Sequence, residues 1–382
     1  MLIKTYDSHC PHADYLPKGR DYLFFDIETT GFLKDTTLLY LIGCGYYVGD
    51  TFHMIQWFND DAVSEEQILK AFFEEFSKKN YTLISFNGES FDIPYLKRHY
   101  EMNELDSSFL SFCVSLDIYR LMRPFQYFLG MTHGRQKDWE EYLGIHREDT
   151  YNGGQLISLY KEYLKTHDSE LLKLLLLHNR DDILGMSQLL PLLALLPLSD
   201  GNFTMNSVHY SDKVYESIGN AALEFEIELP LSLPTELGCQ TDYGSFEASG
   251  KKLRLTIPSY VGELRHYYAN YREYYYLPEE DRAIHYSIGR YVDPKHRRKA
   301  KASTCYGRRR DVFLPCTMAQ HHYGFLIDSA PSKIKTTYRF EYPDRQNYVT
   351  MDDLLSVNPE SINDYLCNYL KYIMTQYICQ RA

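Results

Sequence analysis

Along the first part of the chain, short apolar runs alternate with stretches of helical spacing. YLFFDI at 22–27 is apolar almost throughout and is stopped by Thr29, Thr30 and Gly31, which predicts a strand buried on both faces. Residues 38–48 and 51–58 are apolar and β-prone around the turn signal Gly49-Asp50, so they predict a hairpin. Ser64 stands where a helix cap belongs, with acids in the next turn. Ile68, Leu69, Phe72, Phe73 and Phe76 then share one helical face. A strand at 81–86, the turn Asn87-Gly88, a helix over 91–100 and a short strand at 112–118 follow. Beyond them the spacing is helical, with loops at 130–136 and 150–154, and the longest helix is expected over 169–194.

Three strands in antiparallel succession, then helix, strand, helix and strand, predict an α/β fold with a mixed central sheet flanked by helices. The string LPLSDGN at 196–202 favours a turn and marks the expected boundary between a domain at 1–198 and another at 199–382. The second half changes character. Strands are expected at 225–231, 245–248, 253–257, 312–314, 324–327 and 335–342, set apart by Gly and Pro. A final helix over 359–379 carries Ile362, Tyr365, Leu366, Tyr369, Leu370, Ile373 and Tyr377 at helical spacing. The expectation is a second, α+β, strand-rich domain.

Composition narrows the class. The 382 residues suit two or three domains at roughly 150 residues each. With 44% hydrophobic and 24% charged residues, wholesale disorder and a fibrous repeat are excluded. The densest apolar stretch, 171–198, is broken by Lys173, Arg180, Asp181 and Asp182, short of the roughly 20 residues a membrane span needs. The start, MLIKTYDSHC, lacks an apolar signal core, so a cytoplasmic location away from membranes is expected. Eight cysteines are scattered without a CxxC pair and read as buried free thiols; His9, Cys10 and His12 offer soft ligands but no partner motif.

The candidate chemistry lies in three acidic motifs. Asp26 and Glu28 are two apart on an expected strand, so both carboxylates point to one side. Their frame, FFDIETTGF, makes the pair emerge from buried apolar surroundings, which is unfavourable unless a positive charge compensates, and metal ions are the usual compensation. In ISFNGESFDIPYL, Asn87 and Asp92 bracket a strand-to-helix turn, and Asp92 also reads as a simple helix cap. In LLLLHNRDDILGM, His178 and Asp182 are four apart and share a helical face.

These motifs, with SLDIYRL between them and HRED near Arg147, resemble the YprB-like ribonuclease-H-like domain of the DEDD superfamily of 3′–5′ exonucleases, over about 20–195. The resemblance implies a ribonuclease-H-like fold and a hydrolase that removes nucleotides from a single-stranded DNA or RNA 3′ end. It implies Asp26, Glu28, Asp92 and Asp182 as ligands of two magnesium or manganese ions, His178 as general base, and Thr29 and Asn87 at the substrate. Three residues separate His178 from Asp182, where the histidine subgroup has four. That leaves Asp181 as the alternative ligand, while positions four apart coincide better on one helical face. Two divalent ions roughly 3.5 to 4 Å apart stabilise the attacking and leaving oxygens of a phosphodiester, and oxygen ligands suit magnesium and manganese.

The C-terminal half resembles no family by its motifs. The net charge of −12 argues against indiscriminate coating of nucleic acid, but 290–310 holds nine basic residues and one acid, Asp293. Arg297, Arg298, Arg308 and Arg309 in this stripe are the candidate phosphate contacts, against the plain reading of a solvated face. Seven tyrosines at 260–276 read either as stacking platforms for bases or as ordinary packing. A non-catalytic nucleic-acid-binding or scaffold protein, and an endonuclease, are the alternatives on the same fold.

Overall fold

The computed structural model describes residues 1–213, 215, 219–317, 336–344, 346–356 and 360–381. The strand expected at 324–327, the first residue of that expected at 335–342 and position 359 lie outside the described residues. The chain divides into two compact units, Met1–Ala194 and Leu195–Ala382.

In the first unit, β1 (Leu2–His9), β2 (Asp21–Thr29), β3 (Leu39–Val48), β4 (Thr51–Phe58), β5 (Tyr81–Ser85) and β6 (Ser115–Asp117) form one sheet in the order β1-β4-β3-β2-β5-β6. The β1–β4, β4–β3 and β3–β2 pairings are antiparallel, while β5 is parallel to β2 and β6 to β5. The expected mixed sheet is therefore present. The sequence pattern does not predict β1, because LIKTYDSH is solvated at most positions. It is an edge strand fixed by its pairing with β4, with Lys4 and Asp7 exposed.

The helices of this unit are α1 (Glu65–Phe76), α2 (Asp92–Met102), α3 (Phe109–Phe112), α4 (Ile118–Met122), α5 (Gln136–Tyr142), α6 (Gly153–Thr166) and α7 (Ser169–Gln188). Leu23, Phe25 and Ile27 of β2 share a core with Ile68, Leu69 and Phe72 of α1 and Ile93 and Leu96 of α2. On the other face, Tyr40, Leu41 and Phe58 pack with Leu156 and Tyr160 of α6 and Leu175 and Leu176 of α7. Because side chains alternate along a strand, Asp26 and Glu28 project to the α7 side.

Gly43 lies opposite Asp26 in the β2–β3 register. A Cβ there would stand 2.1 Å from Asn179 Oδ1 and 2.3 Å from Ile183 Cδ1, so the absence of a side chain lets α7 approach β3. Helix α7 ends earlier than its apolar pattern predicts. Pro191 has no N–H to donate, and the chain continues as a 3-10 helix, Leu190–Leu195. Contrary to the charge-based expectation, an 18-residue window within Ser169–Asp200 is apolar enough by composition to cross a membrane, but 72% of it is buried inside the protein, as in a core helix.

In the second unit, β7 (Thr204–Tyr210), β8 (Ala221–Glu228), β9 (Leu237–Thr241), β10 (Gly244–Ser249), β11 (Lys252–Tyr267), β15 (Tyr306–Thr317) and β16 (Asn347–Thr350) form a seven-stranded sheet. A separate three-stranded sheet holds β12 (Tyr274–Leu277), β13 (Arg282–His285) and β14 (Arg298–Lys299). Helix Glu360–Arg381 packs on β9 and β10, burying Leu366, Leu370 and Ile373, and its Tyr365 and Tyr369 hydroxyls donate to the carbonyls of Pro315 and Tyr243. The second half is thus the strand-rich α+β domain its sequence predicts.

Candidate active site

Strand β2 brings Asp26 and Glu28 to the α7 face, α2 opens with Asp92, and α7 presents His178 and Asp182 one turn apart. Each is held by a different element. Asp26 Oδ2 accepts from Asn179 Nδ2 at 2.8 Å, and Gln56 Nε2 donates to Asn179 Oδ1 at 2.8 Å, so a buried amide relay fixes this carboxylate. Glu28 Oε2 accepts from the Tyr40 hydroxyl at 3.3 Å. Asp92 is not a helix cap. Phe91 occupies that position, and Asp92 Oδ1 instead accepts the Ile27 N–H at 3.2 Å, tying α2 to β2 beside Asp26. Ser64 does take the cap position of α1, but its hydroxyl donates to Asp61.

The electrostatics follow from this convergence. Burial pushes the Asp26 carboxyl well above the usual range, and the charges of Asp182, Asp92 and Glu28 push it further. Burial and Asp182 likewise raise Glu28 against the opposing hydrogen bond from Tyr40. Burial raises Asp92 to about 7 despite the stabilising Ile27 N–H. Such a group of carboxylates calls for positive charge, and cations are its natural complement.

His178 is oriented by a residue that sequence reasoning left unassigned. Its Nδ1 lies 2.7 Å from Asp149 Oδ2, which fixes the ring with Nε2 facing the site. Burial would raise the Asp149 carboxyl, but the Tyr151 N–H, the His178 ring and Lys137 outweigh it and hold it below the ordinary range. His178 Nε2 stands 3.3 Å from Asp182 Oδ2 and 3.7 Å from Glu28 Oε1. One ligand atom from each of Glu28, His178 and Asp182 lies within 4.8 Å of the others, close enough to surround one ion.

The two neighbouring acids of α7 part company. Asp182 Oδ1 meets Arg147 at 2.5 Å, leaving Oδ2 toward His178. Asp181 turns away: its Oδ2 accepts the N–H groups of Glu148 and Asp149, and its Oδ1 meets Arg180. Arg147 is buried between Asp182 and Glu140, and Gly185 makes room for Glu140, since a Cβ there would lie 2.1 Å from Glu140 Oε1. The HRED string, read from the sequence only as a marker, thus supplies both Arg147 and Asp149. No spacing rule points to Asn179 or Tyr40.

Of the expected substrate residues, Thr29 donates its hydroxyl to the Gly31 carbonyl at 2.8 Å, and Asn87, at φ 65°, has its N–H held by Asp117 Oδ1 at 2.8 Å. In the second unit the stripe divides. Arg297 donates to the Gly289 carbonyl and lies over the Tyr275 ring, Arg308 pairs with Glu263, and Arg309 pairs with Asp311 and Asp352. Arg298, Lys299 and Arg310 are exposed, with no ion pair among the described residues. The tyrosines at 260–276 largely pack against other side chains: Tyr268 stacks on Tyr274 with centroids 4.7 Å apart, Tyr260 meets Phe313 and Phe340, and Tyr276 donates to Asp281. The cysteines are free, and Cys10 is buried against Ser187 and Tyr47 rather than joined with His9 and His12.

A mixed sheet with helices on both faces and acids gathered at the ends of its strands and at α7 defines a domain of the ribonuclease-H class. Residues 23–194 match the RNase_H_2 family model, of the RNase_H superfamily. No curated protein matches the chain. Among solved structures it is similar to the metal-free form of an E. coli exonuclease I complex with single-stranded DNA, with 11% identity and a TM-score of 0.31 over 56% of this chain and 54% of that one. It is also similar to an exonuclease I from Methylocaldum szegediense, with 12% identity and a TM-score of 0.30 over 55% of this chain and 54% of that one. A family B DNA polymerase from Pyrobaculum calidifontis matches with 12% identity and a TM-score of 0.41 over 95% of this chain and 47% of that one. The chain spans about half the length of these structures.

Proposed function

We propose that the protein is a metal-dependent 3′–5′ exonuclease acting on single-stranded nucleic acid, with Asp26, Glu28, Asp92 and Asp182 as ligands of two magnesium or manganese ions. The observation that carries this reading is the convergence of four carboxylates from β2, α2 and α7 on one place, where burial disfavours the charge of Asp26, Glu28 and Asp92. An all-oxygen donor set fits such hard cations. When bound, the ions neutralise the charge that develops on the reacting phosphate and on the departing oxygen.

The rest falls to the chain's own side chains. Nε2 of His178 accepts the proton of the attacking water, because Asp149 holds Nδ1 protonated and offsets the positive charge the ring then gains. Asn179 and Tyr40 keep Asp26 and Glu28 in place, and Arg147 fixes Asp182 from behind. Exposed basic residues of the stripe, Arg298 and Lys299 foremost, contact phosphates of the strand.

A panel of 5′-labelled DNA and RNA strands with magnesium or manganese tests this. A ladder shortening from the 3′ end, with mononucleotide release, supports it. Internal cuts that leave long fragments identify an endonuclease, and binding without hydrolysis of any strand identifies a non-catalytic protein.

A further inference from the structure

Asp26, Gly43 and Gln56 lie abreast on three neighbouring strands. Asp26 is opposite Gly43 in the β2–β3 register, and Gly43 is opposite Gln56 in the β3–β4 register. Opposed residues share a face of the sheet, so the Asp26 and Gln56 side chains stand on the α7 side, with a gap between them where Gly43 has no side chain. The Asn179 amide of α7 fills that gap: a Cβ on Gly43 would lie 2.1 Å from Asn179 Oδ1. This amide joins the two, accepting from Gln56 Nε2 at 2.8 Å and donating to Asp26 Oδ2 at 2.8 Å and to the Asp26 carbonyl at 3.4 Å. Gln56 and Asn179 are both buried.

The direction of these hydrogen bonds is set at the far end. Gln56 Nε2 also donates to the Leu176 carbonyl at 2.9 Å, and a backbone carbonyl can only accept. The Gln56 amide must therefore turn its NH₂ group toward both Leu176 and Asn179. Asn179 then offers its oxygen to Gln56, which leaves its own NH₂ group for Asp26. Turning over either amide would set oxygen against oxygen, at Leu176 in one case and at Asp26 in the other, in buried surroundings where such a mismatch is costly. Gln56 Oε1 is itself buried without a hydrogen-bond partner among the described residues, which is unfavourable. The donor end of Gln56 is thus used twice and its acceptor end not at all, the pattern of a group that gives direction rather than one that only packs.

We infer that Gln56, on β4, is a positioning residue for the metal site: acting through Asn179, it keeps a donor on Asp26 Oδ2 and leaves Oδ1 for a cation. The inference rests on the proposed metal ligation by Asp26, and it assigns Gln56 no contact with ion or substrate. Without the Gln56 donor, the Asn179 amide is free to turn its oxygen toward Asp26. The carboxylate then loses both its donor and its fixed orientation, and a ligand held less firmly binds its ion less tightly.

The test is manganese binding by the full chain, read from the electron paramagnetic resonance signal of the free aquo ion, with thermal unfolding as the check on the fold. Wild type, Gln56→Met, Asn179→Ala and the double variant are compared; methionine keeps the volume of glutamine but cannot donate. Asn179→Ala should weaken manganese binding about tenfold to a hundredfold and Gln56→Met about tenfold. Once Asn179 is replaced by alanine, Gln56→Met should change binding by less than about twofold, because its effect passes through Asn179. An equal loss from Gln56→Met in both backgrounds overturns the assignment, since Gln56 would then act by general packing. Gln56→Leu is the second variant; if neither it nor Gln56→Met unfolds cooperatively, Gln56 serves the fold and the assignment falls. A wild type that binds no manganese fails the metal reading and the assignment with it. Equal binding by wild type and Gln56→Met leaves the metal reading standing and overturns the assignment alone.

Discussion

At the scale of single residues, the site places like charges where burial penalises them, and this has a measurable sign. Below pH about 4 a carboxyl such as Asp92 is protonated whether the chain is folded or not, so it adds no penalty. As pH rises toward about 7, the folded chain must ionise a group whose charge burial disfavours, while the unfolded chain ionises it freely, so stability is lost across that window. Asp92→Asn keeps an acceptor for the Ile27 N–H but removes the charge. In metal-free buffer its unfolding free energy relative to wild type should therefore be more favourable at pH 8 than at pH 5, by on the order of a few kcal/mol at most. A difference independent of pH would show that Asp92 carries no such strain. Millimolar manganese should raise the melting temperature of the wild type and do little for the variant. The same scale holds the role of Asp149. His178→Ala should lower turnover by about 10² to 10⁴, and Asp149→Asn by about tenfold to a hundredfold with KM little altered, because the ring is still present but no longer held in one tautomer. The acid limb of the pH–rate profile should move in Asp149→Asn; a profile unchanged in shape would reduce Asp149 to a loop anchor.

At the scale of elements, the site depends on how closely α7 sits on the sheet. Gly43→Ala would place a methyl 2.1 Å from Asn179 Oδ1, in a buried network that cannot yield without releasing Asp26, so a loss of about 1 to 3 kcal/mol is expected in urea unfolding. A variant as stable as wild type would mean that α7 is free to shift. The elements legible in the sequence were those with unbroken apolar patterns: β2, the β3–β4 hairpin, α1, α2 and α7. Asp26 and Glu28 were legible because strand parity alone sends both to one face, and His178 and Asp182 because helical spacing does the same. The features that left no pattern in the sequence have a common cause. β1 is solvated along most of its length, and the apolar pattern of the outer half of β11 is broken by the adjacent pairs Gly262-Glu263 and Arg265-His266, so in both cases pairing rather than hydrophobic pattern fixes the strand. Asn179, Tyr40 and Asp149 act through partners distant in sequence or on other elements, and no spacing records such a partnership. Pro191 was visible, yet the leucines around it masked the end of the helix.

At the scale of the whole molecule, a net charge of −12 coexists with a local basic stripe, and the structure sorts that stripe by what its charges already touch. Arg297, Arg308 and Arg309 are engaged within the chain, whereas Arg298, Lys299 and Arg310 are exposed. Neutralising Arg298, Lys299 and Arg310 together should flatten the log–log salt dependence of oligonucleotide binding by about 0.7 to 0.9 for each phosphate that then goes unneutralised. Superimposable slopes would assign the stripe to solvation. The central claim, that the carboxylate cluster hydrolyses a 3′ end with divalent ions, is tested most directly by wild type and Asp26→Asn, purified alike, acting on one 5′-labelled single strand with magnesium, with manganese and with chelator. The account predicts stepwise shortening by the wild type with at least one of the two metals, none in chelator, and a drop of roughly 10³-fold or more in a variant that still unfolds cooperatively. Shortening at equal rates by the two proteins, or a wild type inert toward DNA and RNA with both metals, would contradict it.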